Sequence, residues 1–195
     1  MYFEAISESG FFEIQFTGEY VDVYSLGALN LNMQDIIDKV SFWMLSQEGL
    51  LEPTWRRPKY LPRKMPSTYK RLVKADIRNI NNGSLTEVFS FAVLAAIADP
   101  NVIAILQNLG ANMIWAIGTS GIHRLRRRRM PDLPNIPPLR RPDPFDVGPN
   151  VRDIVMAISE NSDQPSEIIF RYNSPNQESM EISIIINGEG NRRRR

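Results

Sequence analysis

The chain has no cysteine and a single histidine, His123. Without cysteine there is no disulfide, no thiolate nucleophile and no Cys-based zinc site. The lone histidine borders an arginine run whose like charge works against its protonation, so it makes a poor general base. No Gly-Lys-Ser/Thr follows Gly118-Thr119-Ser120-Gly121, a small polar stretch expected to turn, so there is no P-loop. Gly188-x-Gly190 lacks the third glycine of a dinucleotide site, and no EF-hand spacing occurs. Acidic pairs such as Asp35 with Asp38, or Glu178 with Glu181, are expected on solvated faces. The sequence therefore predicts a non-enzymatic protein with no catalytic residue, no metal and no cofactor. The opening Met1-Tyr2-Phe3-Glu4-Ala5 has neither a basic n-region nor an apolar h-region, so the expected location is cytoplasmic.

What the chain does have is concentrated charge. The net charge is +1, yet Arg124, Arg126 to Arg129 and Arg192 to Arg195 carry nine positive charges, and without them the remainder stands at −8. Arginine gathered in this way on an acidic body suits an anionic surface. Residues 192–195 end a stretch, 187–195, expected to be a flexible arginine tail.

At 195 residues the chain suits one domain with its own core. Phe12, Ile14 and Phe16 alternate as in a strand, with Tyr20 to Tyr24 as a candidate hairpin partner across Thr17-Gly18-Glu19. Asn32 is a candidate N-cap, and Met33, Ile36, Ile37, Val40 and Met44 follow at helical spacing. Residues 48–68 form a basic, proline-rich loop in which Trp55 and Tyr60 interleave with the charges. Tyr69 to Ile80 and Leu85 to Val93 flank Asn81-Asn82-Gly83-Ser84, whose Asn-Gly is a strong hairpin signal. Residues 130–149 hold seven of the fourteen prolines and read as an extended connector. Asn150 is a candidate cap for a short helix with Val151, Ile154, Val155 and Ile158 on one face. Two strands, Ser166 to Tyr172 and Ser179 to Ile186, close the chain, adding either to this sheet or to that of another copy. The fold class predicted is α+β, a mostly antiparallel sheet with two amphipathic helices and one long apolar helix.

That apolar helix, at 100–123, starts from Asp99-Pro100, a cap followed by proline at the first helical position. Pro100 to Ile122 contains no charged side chain and runs into His123-Arg124-Leu125-Arg126-Arg127-Arg128-Arg129. The run is long enough to cross a bilayer. Its eight Leu, Ile and Val residues contribute roughly −2 to −5 kcal/mol toward insertion, which Gln107, Asn108 and Asn112 oppose, so a lone span is marginal. Asn101, Asn108, Asn112, Thr119 and His123 form an amide-rich stripe, and Ala104, Ala111 and Gly118 a stripe of small residues, both suited to packing between helices. The candidate assembly or membrane residues are Ala104, Ile105, Asn108, Ala111, Asn112, Trp115 and Gly118. The candidate contacts to an anionic partner are Arg124, Arg126, Arg127, Arg128 and Arg129.

Three functions compete for this junction. The leading expectation is an oligomerising, membrane-associated protein at the inner face of a membrane, a membrane-perturbing effector being one version. The alternative is a soluble scaffold or interaction subunit, a homo-oligomer or one that buries the helix in a protein partner. Non-specific nucleic-acid binding through the same arginines is the third, because no helix-turn-helix or zinc-finger pattern accompanies them.

Overall fold

The computed structural model describes residues 3–6, 10–17, 21–50, 72–81, 85–94, 99–129, 146–159, 166–174 and 179–186, with the backbone alone for 3–5, 76–81, 85, 94, 120–129 and 159. Most of the basic loop at 48–68, most of the connector at 130–149 and the tail at 187–195 lie outside the described residues.

Six strands, β1 (Phe3–Ala5), β2 (Phe11–Thr17), β3 (Val73–Asn81), β4 (Leu85–Leu94), β5 (Ser166–Asn173) and β6 (Ser179–Ile186), form one antiparallel sheet. β3 follows one edge of β4, with a register shift between Ile77 and Asn79. On the other edge β2 takes Leu85 to Phe89 and β1 takes Ala92 to Leu94. Six strands therefore fill five ranks, in the order β3, β4, β1 with β2, β5, β6. Ile6 and Gly10 bound the break between β1 and β2, and the Ile6 N–H donates to the Phe91 carbonyl at 3.0 Å. Gly10 has φ 68° and lies against the Asn173 carbonyl, so a Cβ there is both strained and obstructed.

The last two strands belong to this chain's own sheet, since β5 pairs β2 from Phe11 to Thr17. That pairing also removes the expected hairpin of β2 with residues 20–24. β4 and β5 occupy both edges of β2, and the segment after it is helical.

Helix α1 (Val23–Gln47) begins nine residues before the expected cap at Asn32. Asp22 is the cap instead, its carboxylate accepting from the Ser25 N–H at 2.6 Å, a bond that holds its pKa below the ordinary value. Asn32 sits mid-helix. Its amide nitrogen donates to the Ala28 carbonyl at 2.9 Å and its oxygen accepts from Asn150 at 3.0 Å. Asn150 in turn lies inside α4 (Gly148–Ser159), whose first turn is capped by Asp146 accepting from the Gly148 N–H at 2.8 Å. Pro149 is therefore helical rather than part of an extended connector, because a first turn needs no N–H from it. Asp35 pairs with Lys39 at 3.0 Å and accepts from Asn150 at 2.8 Å. Asp38 is buried and accepts from Gln34 at 3.0 Å, so its expected solvated position is corrected.

The helices cover one face of the sheet. Leu29, Met33, Ile36, Ile37, Val40 and Met44 of α1 meet Phe12, Ile14 and Phe16 of β2 and Phe89, Phe91 and Val93 of β4 in one buried cluster, which Val151, Ile154 and Ile158 of α4 join. Each such side chain contributes about 1.5–3 kcal/mol. Phe12 lies 6.5 Å, centroid to centroid, from both Phe91 and Phe170, tilted against each, and ties three ranks together. The opposite sheet face is mixed, with Phe11 and Ile185 exposed among polar side chains. There Arg171 is bonded to Glu181 at 2.8 Å and reaches Glu13 at 3.4 Å.

One polar group breaks the pattern on the inner face. Glu87 of β4 is fully buried, opposite Ile14 of β2. One carboxylate oxygen accepts from Asn30 of α1 at 3.5 Å, and the other has no hydrogen-bond partner among the described residues. Burial pushes its pKa up, and the Asn30 bond opposes this only in part.

Candidate functional site

The apolar run does not form one helix. Asp99 accepts from the Asn101 N–H at 2.8 Å and starts α2 (Pro100–Leu106) with proline in the first turn. Gln107 and Asn108 then break it, and α3 (Leu109–Arg129) leaves at 41° to α2. The break falls at the two adjacent polar side chains of the run. The Asn108 carbonyl accepts the Asn112 N–H at 3.1 Å and so opens the new helix. Gly118 to Gly121, expected to turn, continue α3, and the helical backbone carries on through Arg129. Arginines in a final turn complement the negative end of the helix dipole.

One face of this pair belongs to the core. Leu106, Leu109, Met113, Ile114 and Ile117 are buried, at spacings of three and four. Two glycines set the distance to the sheet: Gly110 lies against the Tyr172 ring, and a Cβ on Gly118 would stand 2.6 Å from the Ile182 methyl. The Tyr172 hydroxyl donates to the Gln107 carbonyl at 3.4 Å, and burial raises its pKa. The β5 strand thus reaches the break between α2 and α3.

The candidate residues divide between the two faces. Gly118 turns toward the sheet. Ala104 and Asn108 are exposed, and Trp115 is 60% exposed. Ile105, Ala111 and Asn112 are half-buried. Two members of the amide stripe bond within their own helix: Asn112 donates to the Asn108 carbonyl at 3.0 Å, and Thr119 donates to the Trp115 carbonyl at 3.0 Å. Arg124, Arg126, Arg127, Arg128 and Arg129 follow on the α3 backbone, and their side chains lie outside the description. Among the described residues no single helix is long and apolar enough to cross a membrane, while the bent pair meets that test on length and composition together.

A second apolar surface was not foreseen. Val23, Tyr24 and Leu31 on the outer side of α1, with Met156 of α4, are exposed. With Gly27 and Asp153 they line a groove of about 600 Å³ between the two helices. Its signal in the sequence is a helix carrying apolar residues on two sides, Tyr24 and Leu31 on one and Leu29, Met33 and Ile36 on the other. Among the described residues no three or more His, Cys, Asp or Glu side chains gather where they could hold a metal ion.

Compared with known proteins, the chain matches no family model, no curated protein and no solved structure.

Proposed function

We propose that the protein is a non-enzymatic, assembling protein that works at an anionic membrane surface on the cytoplasmic side, with α3 lying on the surface. The observation that carries this is Trp115, which is 60% exposed on a helix whose Leu109, Met113, Ile114 and Ile117 are buried and whose backbone continues into the arginine run. A tryptophan favours the headgroup level of a bilayer, and each nearby arginine adds about 1 kcal/mol on an anionic leaflet. Positions 126 and 129 recur in helical phase with Trp115, about three and four turns on.

Lying on the surface is favoured over spanning on magnitude. To span, α2 and α3 would have to leave the sheet and uncover the large side chains beneath them, at about 1.5–3 kcal/mol each. The gain from inserting the run is only roughly −2 to −5 kcal/mol. A soluble scaffold is the second reading, favoured by the groove between α1 and α4.

Vesicle sedimentation tests the proposal. The protein should pellet with phosphatidylserine-containing vesicles and stay in solution with phosphatidylcholine alone. Trp115→Ala should weaken the binding, and replacing Arg126 to Arg129 by alanine should weaken it at least about tenfold. Equal recovery in the supernatant with both vesicle types sinks the membrane reading. Retention on RNA or DNA, with no vesicle binding, would transfer the arginines to a nucleic-acid role.

A further inference from the structure

The outer surface of α1 carries an exposed apolar stripe. Tyr24 and Leu31 are 73% and 75% exposed, two helical turns apart, and midway between them stand Gly27 and Ala28. Gly27 is exposed, and a Cβ built on it meets nothing within 4 Å. Val23, 87% exposed, and Met156, 48% exposed, flank the stripe. The second wall of the groove is held in place, since the Ser25 hydroxyl donates to the Ala157 carbonyl of α4 at 2.8 Å.

We infer that this groove is filled by a second copy of the chain, its α1 antiparallel to the first and crossing it at residues 27 and 28. A two-fold axis there sets Leu31 of each copy over Tyr24 of the other. Gly27 meets Ala28, so the backbones approach closely where the side chains are smallest. The exposed surface of Val23, Tyr24, Leu31 and Met156 amounts to about 600 Å² per copy, so a pair that covers it fully buries about 1,200 Å², the lower end for a stable specific interface. The inference names the partner in the proposed assembly but does not depend on lipid.

Light scattering without lipid tests it. The chain should be a dimer at about 50 µM. Leu31→Glu should raise the dimer Kd at least about a hundredfold, because the residue recurs on both sides of the axis. Gly27→Gln should give a monomer with a thermal midpoint no lower than that of the parent, since the side chain projects into open space and glycine is a poor helix former. That midpoint separates loss of the interface from loss of the fold. A parent chain monomeric at about 50 µM overturns the inference and leaves the groove to a foreign partner, as does any assembly that survives Gly27→Gln. Vesicle binding is read separately, so neither result decides the other.

Discussion

Glu87→Gln should make the protein more stable at pH 8 by about 1–3 kcal/mol, the cost of a buried polar group left without its partner. Glu87 lies on the inner face of β4 with one oxygen unmatched among the described residues. Burial raises its folded pKa above the unfolded value, so the folded state favours the neutral acid. Stability from this residue is complete below the unfolded pKa and is lost as pH rises through the folded one. Urea titrations of the parent should therefore show falling stability as pH rises from the ordinary carboxyl range, and the Gln variant should lack that fall. The two proteins should converge near pH 4.5. Asp22 acts in the opposite sense and at lower pH, because its lowered pKa contributes stability that is lost only as pH falls through it. A parent whose stability is flat from pH 5 to 8 would show that Glu87 is ionised in the folded state as a solvated carboxylate with no raised pKa.

The second large effect lies under α3. Gly110→Ala should destabilise the fold by about 1–3 kcal/mol, because the new methyl meets the buried ring of Tyr172. That ring has no free direction, held between the helix above and β5 below with its hydroxyl on Gln107. Gly118→Ala is the contrast. Its methyl meets only the terminal methyl of Ile182, on the outermost described strand, which can turn aside. The helix gains about 1 kcal/mol from replacing an interior glycine, so the variant should be close to neutral. Thermal melts of the two variants check both statements together. Equal losses would mean that α3 sits on the sheet more rigidly than these contacts imply.

Much of the fold is legible because its signals are local. Alternation in Phe12-Ile14-Phe16, the Asn-Gly between β3 and β4, and the shared face of Val151, Ile154 and Ile158 each depend on a few neighbours. What escapes the sequence depends on tertiary partners. The first turns of α1 are obscure because Val23, Tyr24 and Leu31 are apolar yet exposed, which blurs the amphipathic pattern ahead of Leu29. The break at Gln107 and Asn108 is visible as two amides, but whether amides line an interface or interrupt a helix is decided by the sheet beneath. The candidate site divides for the same reason. The candidate assembly residues include both Gly118 and Trp115, whereas Gly118 faces Ile182 and Trp115 faces out.

The position of β2 between β4 and β5 has a consequence for the order in which this protein can fold. An N-terminal strand sits in the middle of the sheet, and one of its two neighbours is made of residues 166–173. During synthesis β2 has to wait for about 150 residues before its second edge is closed. Such long-range pairing is slow to form, because loop closure must precede the contacts that reward it. Until then Phe11 to Thr17 presents an apolar strand with an open edge, and a chain that stops before Ser166 keeps that edge permanently.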